Sequence, residues 1–133
     1  MAESSFLPAL RDYVKFDAES VARLQAMRAR IRPYHERIVE QFYAAILEDP
    51  GARAVLKSEV QIARLKLSLS DWLEGLFTGP YDDAYFAKRS RIGRVHVKVG
   101  LEQRYMLGAM NVIRVGLHQA VSDSAPDGLG VFP

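Results

Sequence analysis

The sequence predicts an all-α domain. Three observations carry the prediction. Apolar residues recur at three- and four-residue spacing through most of the chain. Prolines and glycines divide that pattern into helix-length pieces, and no stretch has both the alternation and the partner that a strand needs. At 133 residues there is room for one domain with a sizeable core. No cysteine is present, which excludes disulfides, thiolate zinc or iron–sulfur ligation and cysteine nucleophiles.

Taken in order, Asp17 with Glu19-Ser20 behind it reads as an N-cap and acidic first turn for a helix running through Ile31. Pro33 either kinks that helix or opens the next at its tolerated first position. From Tyr34, residues Ile38, Phe42, Ala45 and Ile46 form a helical stripe, widened by Val39, Tyr43 and Leu47, that Asp49-Pro50-Gly51 ends. A short piece over residues 52–56 leads to a long helix marked by Ile62, Leu65, Leu69, Trp72, Leu73, Leu76 and Phe77. Thr78-Gly79-Pro80 stops it, and Asp82 or Asp83 caps the next. That helix carries Tyr85, Phe86, Arg89, Ile92, His96 and Val99 before Gly100. Val95-His96-Val97-Lys98-Val99 alternates as a strand would, but its neighbours on both sides are helical. The last helix, residues 101–121, is apolar round most of its circumference and is expected to be buried on several sides. Two prolines and two glycines among residues 123–133 make that stretch a non-helical tail.

The net charge is only +2, despite a pI near 9.0, so no strong field for nucleic acid or anionic lipid is expected. Arg28, Arg30 and Arg32 spread around a helix and read as a solvated face rather than a phosphate site. The apolar run from Tyr43 to Leu47 stops at Glu48, and no segment is long enough to span a membrane. Residues 1–5 lack the basic start and apolar stretch of a signal peptide. A cytoplasmic protein with neither nucleic acid nor membrane as partner is the expectation.

Few side chains suit chemistry. There is no Gly-x-Ser-x-Gly elbow, no phosphate-cradling loop, and no acidic pair with a matching base; Asp82-Asp83 reads as a helix start. Of the histidines, His35 is expected to be exposed beside charged neighbours, and His118 to be partly buried or in the last helical turn. His96 shares a face with Ile92 and Val99 on a helix that must pack between two apolar ones. It is either a satisfied core histidine or a ligand. No second His, Asp or Glu stands at ligand spacing on that face, which argues against zinc and non-haem iron. Haem iron needs a single protein ligand. Tyr43 is either a core tyrosine or a hydroxyl donor facing such a group, and Ser68, on the helix that offers Leu65, is the other small donor.

The run Ile92-Gly93-Arg94-Val95-His96-Val97-Lys98-Val99-Gly100-Leu101, followed by Tyr105-Met106, resembles the proximal-histidine segment of the globin-coupled oxygen sensors. So does its approach: Leu73, then Leu76-Phe77-Thr78-Gly79-Pro80-Tyr81-Asp82-Asp83-Ala84-Tyr85, and Arg89. Phe42-Tyr43 with Leu47 and Asp49-Pro50 is similar to the family's distal helix, and the separation of Tyr43 from His96 matches the family's spacing. The resemblance covers about residues 15 to 122.

It implies a globin fold with haem b held through His96. Tyr43 would donate a hydrogen bond to dioxygen (carbon monoxide and nitric oxide being other ligands), with Leu65 the apolar gate and Ser68 a second donor. Phe42, Ile46, Trp72, Phe77, Ile92, Tyr105 and Met110 would pack the haem. The resemblance further implies a sensor domain over residues 1–122 with no turnover of its own, a signalling output module outside the chain, and homodimers formed through the last helix. The chain departs from the family where another long helix is expected and residues 123–133 stand instead. Two other readings stay open. One is a haem-free phosphotransfer-like module with an exposed His96, against which Ile92, Val95 and Val99 weigh. The other is a haem globin that scavenges nitric oxide or peroxide with a reductase partner.

Overall fold

The computed structural model describes residues 2–125, and the side chains of residues 7–125. Among these, seven α-helices and one 3₁₀ turn follow one another without a strand. They are α1 (Ala2–Tyr13), α2 (Ala18–Ile31), the 3₁₀ turn (Arg32–Tyr34), α3 (His35–Glu48), α4 (Pro50–Arg53), α5 (Glu59–Thr78), α6 (Asp83–Lys98) and α7 (Gln103–Ser124).

Local chemistry accounts for most of the boundaries. Asp17 accepts from the Ser20 N–H at 2.9 Å and Asp82 from the Tyr85 N–H at 3.0 Å, each satisfying a first-turn donor that the helix leaves unpaired. Ser58 does the same for Gln61 at 3.1 Å. Pro33 starts the 3₁₀ turn, and α3 follows it directly. The N-terminal helix α1 was not anticipated. It ends in a Schellman motif: the Phe16 N–H reaches the Arg11 carbonyl at 2.8 Å and the Lys15 N–H the Asp12 carbonyl at 3.2 Å. Lys15 adopts φ 58° there, where glycine is usual.

The core lies between α2, α3, α5 and the second half of α7. Ile31, Ile38 and Leu73 are wholly buried, with Val39, Tyr43, Phe77, Ile113, Ala120 and Val121 around them. Each wholly buried aliphatic contributes about 1.5–3 kcal/mol relative to exposure. Gly116 lets α7 approach α3 closely, since a Cβ there would stand 3.2 Å from Ile38 Cγ1.

Four expectations are corrected. His35 is buried, not exposed, and stacks on Phe77 with ring centroids 6.3 Å apart; the stripe of α3 extends one turn further back than the apolar residues mark. His118 is exposed, six residues before the end of α7. Arg28 and Arg32 are exposed as expected, and there they pair with Glu74 of α5 at 3.3 and 3.5 Å; Arg30 is half-buried instead and donates to the Val121 carbonyl at 3.3 Å. Only Ile113, Gly116, Ala120 and Val121 of α7 are buried, while Leu107, Met110 and Val115 are 65%, 42% and 52% exposed. The cause is that only the second half of α7 reaches α2 and α3. That helix also runs through Ser124, beyond the residue 121 expected, so Asp123 and Ser124 are helical. Arg37 pairs with Asp123 at 3.0 Å and Arg30 with the Ser124 Oγ at 3.3 Å, and cations there suit the helix C-terminus. Residues 126–133 of the expected tail lie outside the described residues.

Candidate functional site

α3 and α5 make one wall. Tyr43 is buried on α3, its ring edge-on to Phe42 with centroids 5.0 Å apart. Burial pushes its phenol up to about 12, so the hydroxyl keeps its proton at neutral pH and acts as a donor. No described residue hydrogen-bonds that hydroxyl, and it is not sealed from solvent. A buried tyrosine normally finds a partner, so this hydroxyl is open to one from outside the chain. Phe42, Ile46, Leu65 and Trp72 pack half-buried against the cluster that holds Tyr43 and Phe77. Ser68 is exposed, one turn from both Leu65 and Trp72 on α5.

α6 makes the other side, and it buries none of its residues. Its extensive helix contact is with α1, reinforced where Arg11 donates to the Tyr81 carbonyl at 3.2 Å and Phe16 meets the Tyr81 ring at 5.2 Å. Half-buried His96 places Nδ1 2.8 Å from the Ile92 carbonyl oxygen. A carbonyl only accepts, so the proton belongs on Nδ1 and Nε2 keeps its lone pair. The backbone is fixed as well. The Leu101 N–H donates to the His96 carbonyl at 3.2 Å and the Gly100 N–H to Val97 at 3.0 Å, with Gly100 at φ 81°. This is a Schellman closure whose glycine the left-handed backbone requires.

Ile92 and Tyr105 are half-buried and Met110 is exposed; none of the three joins the core cluster. The Tyr105 hydroxyl accepts from Arg104 Nη2 at 2.9 Å and lies against Gly51, where any Cβ would collide with it. Val95 and Val99, expected to turn His96 toward the core, are 53% and 57% exposed; Val95 is the histidine's chain neighbour and points to its side, and Val99 is the cap residue past the end of α6. The predicted residues thus fall into two groups. Phe42, Tyr43, Ile46, Leu65, Trp72 and Phe77 are joined through the core, while Ile92, His96, Tyr105 and Met110 stand apart from it. Two shallow hollows border the 3₁₀ turn, one including His35, and neither is lined by Tyr43 or His96.

Among the described residues no three His, Cys, Asp or Glu side chains gather as a metal site. A metal bound at His96 Nε2 therefore takes its other ligands from elsewhere, which is the situation of a porphyrin iron. One residue went without a role in the sequence reading. Arg89 stands between the Trp72 and Tyr85 rings, 4.4 and 4.5 Å from their centroids, and donates to the Trp72 carbonyl at 2.9 Å. Burial draws its guanidinium below the usual arginine value, opposed by Tyr85 and Tyr81. Its sequence signal, an arginine two turns before His96, is indistinguishable from a solvated cation without the fold.

Helices in this order, without a strand among the described residues, form a globin fold. The protoglobin family model matches residues 4–128, and the chain belongs to that family. It is similar to the globin domain of the Geobacter sulfurreducens globin-coupled sensor, with a TM-score of 0.83 and 32% identity over 90% of this chain and 79% of that one. It is also 28% identical over 112 residues to the heme-based aerotactic transducer HemAT of Halobacterium salinarum, matching 84% of this chain. The match spans 23% of that relative's length. No helix among the described residues is long and apolar enough to cross a membrane.

Proposed function

We propose that this chain is a haem-binding sensor domain that takes up dioxygen reversibly and reports its ligand state to a signalling output. The observation that carries the reading is the His96 geometry. Nδ1 is committed to the Ile92 carbonyl at 2.8 Å, which leaves Nε2 as a neutral ligand on a helix with no buried residue. Outer partners of this kind fix the tautomer and raise the basicity of a metal-bound imidazole.

Haem b, when bound, would supply an iron able to take up a diatomic gas: dioxygen, carbon monoxide or nitric oxide. His96 holds and orients that group. The Tyr43 hydroxyl, protonated and without a hydrogen-bond partner among the described residues, would donate to a ligand that gathers negative charge. Leu65 supplies an apolar surface beside it, with Ser68 a second donor. Phe42, Ile46, Trp72, Phe77, Ile92, Tyr105 and Met110 furnish the apolar contacts that exclude water. Any catalytic output belongs to a separate module, as the relative's description as a transducer suggests, and the setting is the cytoplasm. The exposed Leu107, Met110 and Val115 of α7 support pairing of two copies along that helix.

The visible absorption spectrum tests this. Protein reduced without air is expected to show a five-coordinate ferrous haem and to convert to a stable oxy spectrum on exposure to air. A chain that carries no haem and takes up none from added hemin refutes the reading.

A further inference from the structure

α5 and α6 are joined by a short link across Gly79 and Pro80 and diverge from it. Trp72 lies six residues before the end of α5, and Arg89 six residues after the start of α6. At this height Arg89 Nη2 donates to the Trp72 carbonyl at 2.9 Å, and its guanidinium is stacked against both Trp72 and Tyr85. The contact depends on a small residue, because a Cβ on Gly75 would stand 2.8 Å from Arg89 Nη2. Nη1 is buried and unpartnered, so the group is held by this one carbonyl and two rings rather than by a carboxylate.

Seven residues further out on each helix stand Leu65 and His96. Seven residues are close to two turns, about 10.5 Å of helix, so Arg89 and His96 share one face of α6, as Trp72 and Leu65 share one face of α5. Contact between the two helices is sparse.

We infer that Arg89 is a strut that fixes the splay of α5 and α6, and through it the position of His96 opposite Leu65. It is a positioning residue: it touches no ligand, and it acts by setting how far the histidine stands from the wall across the cleft. Its relevance to haem rests on the reading under Proposed function; its control of the splay does not. A guanidinium suits the task because its planar face stacks on the indole while its edge reaches a carbonyl, which an ammonium cannot match.

The chain has no cysteine, so Ala63→Cys with Lys98→Cys places two spin labels specifically on exposed positions of α5 and α6. Pulsed dipolar distances on the haem-free chain are compared with and without Arg89→Met and, separately, Gly75→Ala. Both changes are expected to shift or broaden the distribution, and Arg89→Lys to restore it only in part. Gly75→Ala is the sharper test, since alanine favours the helix and a merely structural role predicts a tighter distribution. In haem-loaded protein Arg89→Met is expected to speed haem loss and to shift the iron–histidine stretching band. An unchanged distance distribution overturns the strut whatever the haem does. An altered distribution in a chain that takes up no haem upholds the strut and refutes the haem reading instead.

Discussion

Replacing Tyr43 by phenylalanine separates a ligand contact from a structural one, because the hydroxyl has no hydrogen-bond partner among the described residues. The ring is 7% exposed and stays so in the variant, which keeps the packing against Phe42. Deleting a hydroxyl that is bonded inside a protein costs roughly 0.5–1.5 kcal/mol. Here no such bond exists, so the haem-free chain is expected to change by less than about 0.5 kcal/mol in either direction. With dioxygen bound the hydroxyl would donate to an acceptor carrying negative charge, a bond worth about 1.5–3 kcal/mol. At about 1.4 kcal/mol per decade, dioxygen release should accelerate by roughly ten- to a hundred-fold. Carbon monoxide, which gathers little negative charge, should be affected much less. Stopped-flow dissociation of both gases and a thermal melt of the haem-free chain give the three numbers. Equal acceleration for both gases, or none, refutes the donor assignment; a melt lowered by more than about 1 kcal/mol shows that the hydroxyl supports the fold.

Three further outcomes are expected. Desolvation lowers the pKa of buried His35, with Arg32 adding to the shift and Glu74 opposing it, so the unfolded chain binds its proton first. Stability is then complete above about pH 6.5 and falls as pH drops through that value, by at most about 1.4 kcal/mol per unit, until the folded histidine titrates too. His35→Leu should flatten the dependence of the melting temperature on pH between 7.5 and 5.5, and an unchanged slope disproves the assignment. Gly100→Ala should cost about 1 kcal/mol through the φ of 81° alone, since nothing lies within 4 Å of the new methyl; calorimetry that shows no loss argues against a strained closure behind His96. Lys15→Gly should stabilise by about 0.5–1 kcal/mol, because its φ of 58° suits glycine, and a lower melting temperature contradicts that.

What could be read from the sequence follows the range of each interaction. Asp17, Asp82, Gly79 and Gly100 mark helix ends through bonds that span a few residues, and each does so in the structure. His35 was misread because its neighbours are charged, although it stands three and four residues before Ile38 and Val39 and so belongs to their stripe. The partners of Arg28, Arg30 and Arg32 are illegible for a different reason. Glu74 and the Val121 carbonyl lie more than forty residues away, and nothing local distinguishes a paired guanidinium from a solvated one. The same limit hid Arg89. Tyr43 and His96 are legible as candidates, but the sequence says nothing of the two facts that matter most, a hydroxyl without a partner among the described residues and an imidazole whose Nδ1 is already committed.

The distribution of packing gives those two facts their weight. α2, α3, α5 and the second half of α7 close a core in which Ile31, Ile38, Leu73 and Ala120 lose all contact with solvent. α6 contributes none to it, and Val95, Val97 and Val99 stand 53%, 77% and 57% exposed. The hydrophobic burial that holds the other helices is therefore weak for this one. It is fixed by pins instead: Arg11 on the Tyr81 carbonyl, the edge-to-face contacts of Phe16, Tyr81 and Tyr85, Arg89 on Trp72, and the closure at Gly100. Three of these four act on the first half of α6 or the link before it. An element held in this way opens at low free energy. A flat apolar group ligated at His96 would supply from outside the chain the burial that this half of the molecule lacks, and binding would then stabilise the fold by mass action.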